Sequence, residues 1–204
     1  MEYLNKLMLD FTKDYILEDE RALLRPLHKG DFENLLQFSL HEPELWKYSV
    51  QQADSEEKLK IYIANALNAK EMRNEYPFII FDKQTQQYAG STRFYDIQPE
   101  HQTLQLGYTW YGTAFQKTGL NRHCKFLLLQ FAFETLDLQR VEFRADYRNK
   151  NSINAMKAIG CKEEGVLRSH LILPNNERRD SIILSILKDE WFNEVRENLL
   201  KKIY

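Results

Sequence analysis

The chain has 204 residues, 43% of them hydrophobic and 28% charged, with a formal net charge of −2. That length can bury one large core or two small ones, and the composition excludes a disordered chain. The near-neutral charge provides no bulk attraction for nucleic acid or for a membrane surface. Two cysteines, Cys124 and Cys161, are too few for a disulfide framework and lack the spacing of a zinc site, which fits free thiols in a reducing compartment. The N-terminus lacks the basic-then-apolar order of a signal peptide, and no apolar run approaches the ~20 residues of a membrane span. The expectation is a cytoplasmic protein, monomer or homodimer, that binds neither nucleic acid nor membrane.

No Gly/Ser-rich linker, repeat or low-complexity tract interrupts the chain, so residues 1–204 read as a single domain. Residues 1–16 read as a helical or irregular lead-in. Residues 20–26 read as a strand, and Asp31 as the N-cap of a helix reaching about Leu40. Asp54, Ser55, Glu56 and Glu57 open a second helix that runs towards Arg73. Three strands follow at residues 76–82, 88–95 and 104–111, joined by polar turns, which suggests an antiparallel meander. A helix runs to about Leu136, and residues 140–146 alternate in polarity as a strand does. A short helix begins near Asn149 and ends at Gly160, a good residue for the position just past a helix. Residues 164–173 and 180–187 form two more strands, and a last helix starts near Lys188. Helices interrupting a mostly antiparallel sheet of about seven strands make the class mixed α/β (α+β).

Between the third strand and the helix after it lies a polar turn of Gln116, Lys117, Thr118, Gly119, Leu120 and Asn121. A turn that opens a helix presents several backbone N–H groups outward, where the helix dipole favours an anion. A glycine there lets the backbone approach a phosphate closely. Taken alone, a strand–glycine–helix turn is a weak signal, and a plain helix start is the better reading.

The element order and several motifs resemble the GNAT acetyltransferase superfamily, in its RimJ/RimL-like branch of ribosomal-protein alanine N-acetyltransferases. Residues 116–121 resemble its pyrophosphate loop, Gln/Arg-x-x-Gly-x-Gly/Ala, with Asn121 departing from the last position. Arg140, Val141, Glu142 and Phe143 resemble the strand after the loop helix. Asn149 and Ser152, followed by Gly160, resemble the branch's Asn-x-x-Ser…Gly-Phe segment, with Cys161 in place of Phe. Residues 164–168, Arg179 with Asp180, and Glu190 with Trp191 resemble its closing pattern. The likeness covers about residues 18–192 and leaves 1–17 as lead-in.

The resemblance implies acetyl-CoA as cosubstrate, no metal, and transfer of an acetyl group to a primary amine, on a small molecule or a protein N-terminus. It implies splayed strands, with backbone groups near Tyr108, Thr109 and Trp110 pairing with the pantetheine arm. Gln116, Lys117, Thr118, Gly119, Leu120 and Asn121 would take the pyrophosphate. Asn149 would hydrogen-bond beside the pantetheine or thioester, although its place before a helix equally fits an N-cap. Many members carry a Tyr as general acid seven residues after this Asn; here that position is Met156. Ser152 is the branch's alternative acid, and a helix-start hydroxyl is its structural reading. The carboxylate that often manages the amine proton is replaced near Gln105, which cannot act as a base. A water chain, or His170 on a later strand, would serve instead; a structural or solvated side chain is the other reading of a lone His. The missing Tyr and carboxylate also leave open a non-catalytic module that binds CoA esters.

Other candidates have plainer readings. His28, His41, His101 and His123 lack metal spacing. Arg122, His123 and Lys125 read as a solvated helix face, with phosphate attraction as the alternative, and Lys117 could face a CoA phosphate. Cys124 reads as core, and Cys161 has no evident His partner. Trp110, Tyr108, Tyr111, Phe94 and Tyr95 are explained by core packing or by lining an acceptor cleft.

Overall fold

The computed structural model describes residues 9–204; the first eight residues of the expected lead-in lie outside the described residues. Eight strands form one sheet: β1 (Leu17–Glu18), β2 (Ala22–Pro26), β3 (Tyr76–Asp82), β4 (Gln87–Gln98), β5 (Thr103–Tyr111), β6 (Arg140–Asp146), β7 (Lys162–Ile172) and β8 (Arg178–Leu187). Their spatial order is β1-β2-β3-β4-β5-β6-β8-β7, and every neighbouring pair is antiparallel except β5 and β6. That parallel pair needs a crossover, which the helix α3 (Leu120–Gln130) supplies. The remaining helices are α1 (Phe32–His41), α2 (Glu56–Glu71), α4 (Lys150–Ala158), α5 (Lys188–Glu190) and α6 (Arg196–Leu200).

Local chemistry sets most boundaries. Ser55 caps α2 by accepting the Lys58 N–H, and Asn149 caps α4 by accepting the Ser152 N–H. Asp31 differs from its expected role. It makes no side-chain cap to α1; its carboxylate accepts the His28 N–H at 2.8 Å and a two-pronged bond from Arg25. A neighbouring arginine outcompetes the helix amides for that carboxylate. The polar stretch after residue 95 remains strand to Gln98, and only Pro99–His101 forms a turn. The helix expected to reach Leu136 is α-helical to Gln130 and continues as a π turn over Phe131–Thr135.

The sheet has two different faces. Val141, Phe143 and Ala145 of β6 are buried, whereas Arg140, Glu142 and Arg144 point to the opposite side. On the apolar side, Phe94 stacks on Phe131 with centroids 6.2 Å apart, and Phe78 meets Phe94 edge-on. The lead-in also belongs to this side: Tyr15 packs on Phe131 at 4.8 Å. The opposite face carries polar residues and is partly roofed by α1, α2 and the segment between them. There Trp46 packs against Tyr62 and Trp110.

The C-terminal segment closes the apolar core. Trp191 is fully buried, stacks on Phe133 with centroids 5.7 Å apart and donates its indole N–H to Glu134. Trp191→Ala should lower unfolding stability by about 3–5 kcal/mol in urea denaturation, as expected for deleting a large buried aromatic. A loss below about 1 kcal/mol would show that this segment does not close the core.

Candidate active site

β5 and β6 are paired only at Thr103↔Arg140, Leu104↔Val141 and Gln105↔Glu142. Beyond Gln105 they part. β5 stays with β4 as far as Tyr111↔Gly90, and β6 stays with β8 as far as Asp146↔Ser181. A wedge-shaped gap therefore opens inside the sheet, and the β5 edge facing it from Leu106 onward has no partner strand. The bulge in β5 begins at Tyr108, whose φ of +49° is rare for a residue with a side chain. Tyr108, Thr109 and Trp110, expected to face a pantetheine arm, all lie on this unpaired stretch. The two strands run parallel, so the chain leaves both at the gap's open end. α3 begins on the β5 side and α4 on the β6 side.

The turn before α3 suits an anion. Lys117 and Gly119 both have left-handed backbones, at φ +61° and +94°. A Cβ placed on Gly119 would meet nothing within 4 Å, so the glycine is required by backbone conformation and leaves open space before the helix. Among the described residues, the N–H groups of Lys117, Thr118, Gly119 and Asn121 find no acceptor. The Gln116 side chain is committed elsewhere: it donates to the Tyr111 carbonyl at 3.0 Å and ties the turn to the end of β5. Thr118 Oγ1 donates to the Phe115 carbonyl, and the Leu120 side chain is core, so these two offer the turn their backbone.

At the other helix start, Asn149 Oδ1 accepts the Ser152 N–H at 3.1 Å, and its amide NH2 has no acceptor among the described residues. Ser152 Oγ is half-buried in the first turn of α4 and has no hydrogen bond among the described residues. Met156 is buried in the core.

The polar face beside the gap brings Tyr95, Gln105 and His170 together with Arg93 and Asp96, which sequence reading did not assign. Tyr95 lies opposite Gln105, and its ring meets Tyr108 at 5.1 Å. Burial, then the neighbouring Tyr108, pushes the Tyr95 phenol up, so it remains a donor at neutral pH. Gln105 donates to Asp96 at 2.6 Å, which brings a carboxylate to the position lacking one. Arg93 is 1% exposed, lies between the Tyr62 and Tyr108 rings and reaches Glu75 at 2.6 Å. His170 Nδ1 lies 3.0 Å from Ser181 Oγ. Burial, then Arg144 and Arg179, pushes the imidazole down, so the ring is neutral at pH 7. The alternation Arg140, Glu142, Arg144, Asp146 was the available signal for this face. Strand order alone could not show that β8 and β7 extend it.

Two residues of α3 overturn the solvated reading. His123 is 9% exposed, with Nδ1 2.8 Å from Asp19 Oδ2. Lys125 is 5% exposed, and its ammonium donates to Thr109 Oγ1 at 2.8 Å; Thr109 Oγ1 in turn lies 2.7 Å from Thr92 Oγ1. Helix α3 is thus fastened to the bulge of β5. Burial lowers the Lys125 ammonium to about 8. The sequence placed these residues on a polar helix face; the eight-stranded sheet is wide enough to cover that face. Cys124 is core, as expected, and burial raises it to about 12. Cys161 is also buried.

A sheet split between parallel strands, with an anion-ready helix start on one side, suits an extended ligand that carries a phosphate. The profile of the acetyltransferase (GNAT) domain matches residues 21–162. The chain is 24% identical over 172 residues to the uncharacterized N-acetyltransferase YnaD of Bacillus subtilis (strain 168), covering 84% of this chain and 96% of YnaD. It is 31% identical to a protein from T. thermophilus provisionally assigned as an acetyltransferase, with a TM-score of 0.84 over 93% of this chain and 97% of that one. The ribosomal-protein-S5-alanine acetyltransferase of Vibrio fischeri shares the fold, with a TM-score of 0.71 and 20% identity over 87% of this chain and 99% of that one. The chain belongs to the GNAT acetyltransferase family and is an N-acetyltransferase. Members of the family use acetyl-CoA, and the open turn and the unpaired β5 edge fit that ligand. Among the described residues, no helix is long and apolar enough to cross a membrane and no group of three His, Cys, Asp or Glu could hold a metal.

Gly119→Val forces a β-branched residue into a left-handed backbone. The affinity for CoA should fall at least tenfold in calorimetric titration; unchanged affinity would remove the turn from the binding site. For Lys125, the folded chain releases its proton near 8, whereas the unfolded chain keeps it to about 10.5. Unfolding therefore takes up a proton between these values, and this lysine makes stability rise from pH 8 to 10.5. Urea midpoints should show this rise in the wild type and a smaller one in Lys125→Met. Parallel curves would mean that the lysine is not buried as described.

Proposed function

We propose that the protein moves the acetyl group of acetyl-CoA to a primary amine, on a small molecule or a protein N-terminus. The observation carrying this reading is the gap between β5 and β6, with the starts of α3 and α4 at its open end. The free amides of Lys117, Thr118, Gly119 and Asn121 hold the pyrophosphate, and the unpaired edge at Tyr108, Thr109 and Trp110 holds the pantetheine arm. The Lys117 ammonium adds a cation beside the phosphates, and Asn149 donates its amide NH2 to the arm. Acetyl-CoA, when bound, supplies an acetyl group activated as a thioester.

The rest of the chemistry is proton handling and charge stabilisation. The acceptor enters as an ammonium and must lose a proton before it can react. His170 is neutral, its Nδ1 is fixed by Ser181, and its Nε2, with no hydrogen bond among the described residues, takes that proton directly or through water. Backbone N–H groups at the β5 bulge stabilise negative charge on the acetyl oxygen. Ser152 Oγ–H supplies a proton to the departing sulfur in place of the Tyr that position 156 lacks. The acceptor enters from the polar face, under the segment between α1 and α2. The reading that the protein is a single catalytic domain acting as a cytoplasmic enzyme accompanies this proposal.

Release of free CoA thiol from acetyl-CoA with a panel of primary amines tests it. Ser152→Ala should lower kcat about 10- to 100-fold with little change in the KM for acetyl-CoA. The kcat/KM should rise with pH through the depressed His170 value, and His170→Gln should remove that limb. Acetyl-CoA binding without thiol release from any amine would overturn the proposal. An unchanged pH profile in His170→Gln would remove His170 as base.

A further inference from the structure

Arg179 is the buried cation on the polar face that lacks a carboxylate. It lies on β8, two residues before Ser181, and therefore on the same face as Asp146, Ser181 and His170. It is 7% exposed. Its Nε has no hydrogen-bond partner, and its guanidinium makes one long contact, from Nη1 to the Tyr48 carbonyl at 3.5 Å. Among the described residues it has no ion pair. Asp146 acts on it through its charge, but both Asp146 oxygens are hydrogen-bonded by Arg148, at 2.8 Å and 3.0 Å from the guanidinium, and one again by the Arg148 N–H. Asp180 points to the other face of β8 and accepts the Ser169 N–H.

Among the described residues, other buried or half-buried arginines are paired. Arg93 has Glu75, Arg25 has Asp31 and Arg21 has Asp82. Lys125 can shed its proton, which an arginine cannot. Arg179 feels the Asp146 charge but makes no hydrogen bond to it, and a buried guanidinium with donors left unpaired is unfavourable unless an anion completes it. The position identifies where that anion comes from. Arg179 joins β8 to Tyr48, in the segment roofing the acceptor face, and lies just past the point where β6 ends at the open gap. It stands beside His170, Tyr95 and Tyr108, each of which feels its charge. This is the acceptor's side of the site rather than the side of the CoA phosphates.

We propose that Arg179 binds a carboxylate carried by the acceptor, so that the preferred acceptor is an amine with an acid group on the same molecule. The proposal rests on the transferase reading above and narrows its acceptor. A guanidinium presents two parallel N–H donors to a carboxylate and would orient the acceptor by its acid end, leaving the amine to face the gap. Such an acceptor is a free amino acid, or a peptide whose N-terminus is followed at once by an acidic side chain.

The test compares acids with their amides. Glycine, β-alanine and 4-aminobutyrate are each paired with the matching amide, and an Ala-Glu N-terminal peptide with its Ala-Gln counterpart. The wild type should show a kcat/KM at least tenfold higher for the acid in at least one pair, and the pair that responds distinguishes a free amino acid from an acidic peptide. Arg179→Gln should bring that ratio to within twofold of one, and Arg179→Lys should retain part of it. Protection from unfolding by CoA checks that both variants fold. Equal rates for acid and amide in every wild-type pair, or an acid preference that survives in Arg179→Gln, would overturn the proposal while leaving the transferase intact. The same probes are also titrated by thermal protection with CoA present. If no amine is acetylated, the transferase reading fails, and the anion site stands only if the acids protect the wild type and not Arg179→Gln.

Discussion

A strand in the middle of a sheet normally has its peptide groups bonded on both sides. After Gln105, β5 loses its neighbour on one side, because β6 turns away with β8 while β5 remains with β4. Peptide groups buried without partners are unfavourable, so an extended ligand that can bond them like a strand is strongly favoured there. The rest of the site follows from this separation. The parallel pairing of β5 and β6 requires a crossover helix, the crossover helix must start where the strands part, and its first amides then face whatever enters the gap.

Keeping the strands apart needs rigid support on both sides. On one side, α3 is anchored through Lys125 to Thr109 and from there to Thr92, directly beneath the β5 bulge. On the other, β6 is held to β8 along seven residue pairs, and Asn149 fixes the start of α4 immediately beyond it. An ammonium buried deeply enough to titrate near 8 is a fastening with a large desolvation penalty. It lies beside the place where the sheet parts, and its donation to Thr109 Oγ1 is a directional contact that an apolar side chain could not make.

The sheet separates two tasks. Its apolar side, with Phe78, Phe94 and Phe131, supplies the packing that stabilises the fold. Its polar side is a network of arginines, carboxylates and tyrosines, closed by Arg140 with Glu164 at one end and open near Arg179 at the other. Most charges there are paired and set no chemistry. The exceptions are a histidine kept neutral by burial and two arginines, and an arginine that makes no ion pair among the described residues.

Much of this was legible in the residues alone. The strands at 76–82 and 140–146, the capping of α2 by Ser55 and of α4 by Asn149, and the glycine before α3 are local matters of propensity, alternation and backbone freedom. Motif order was enough to suggest the family. The chain by itself could not show that Asp31 would be taken by Arg25, because that depends on competition between a helix terminus and a guanidinium six residues before it. Nor could it show that His123 and Lys125 would be covered, since burial depends on how wide the sheet becomes. The polar face is the clearest case. Arg93, Gln105, Arg144, His170 and Arg179 each come from a different strand, and only strand order and register bring them to one side. Local sequence therefore determined the elements and the open turn before α3, whose physics acts over a few residues. Tertiary structure decided which charges were paired and which was left without a partner, because pairing acts across strands distant in the chain.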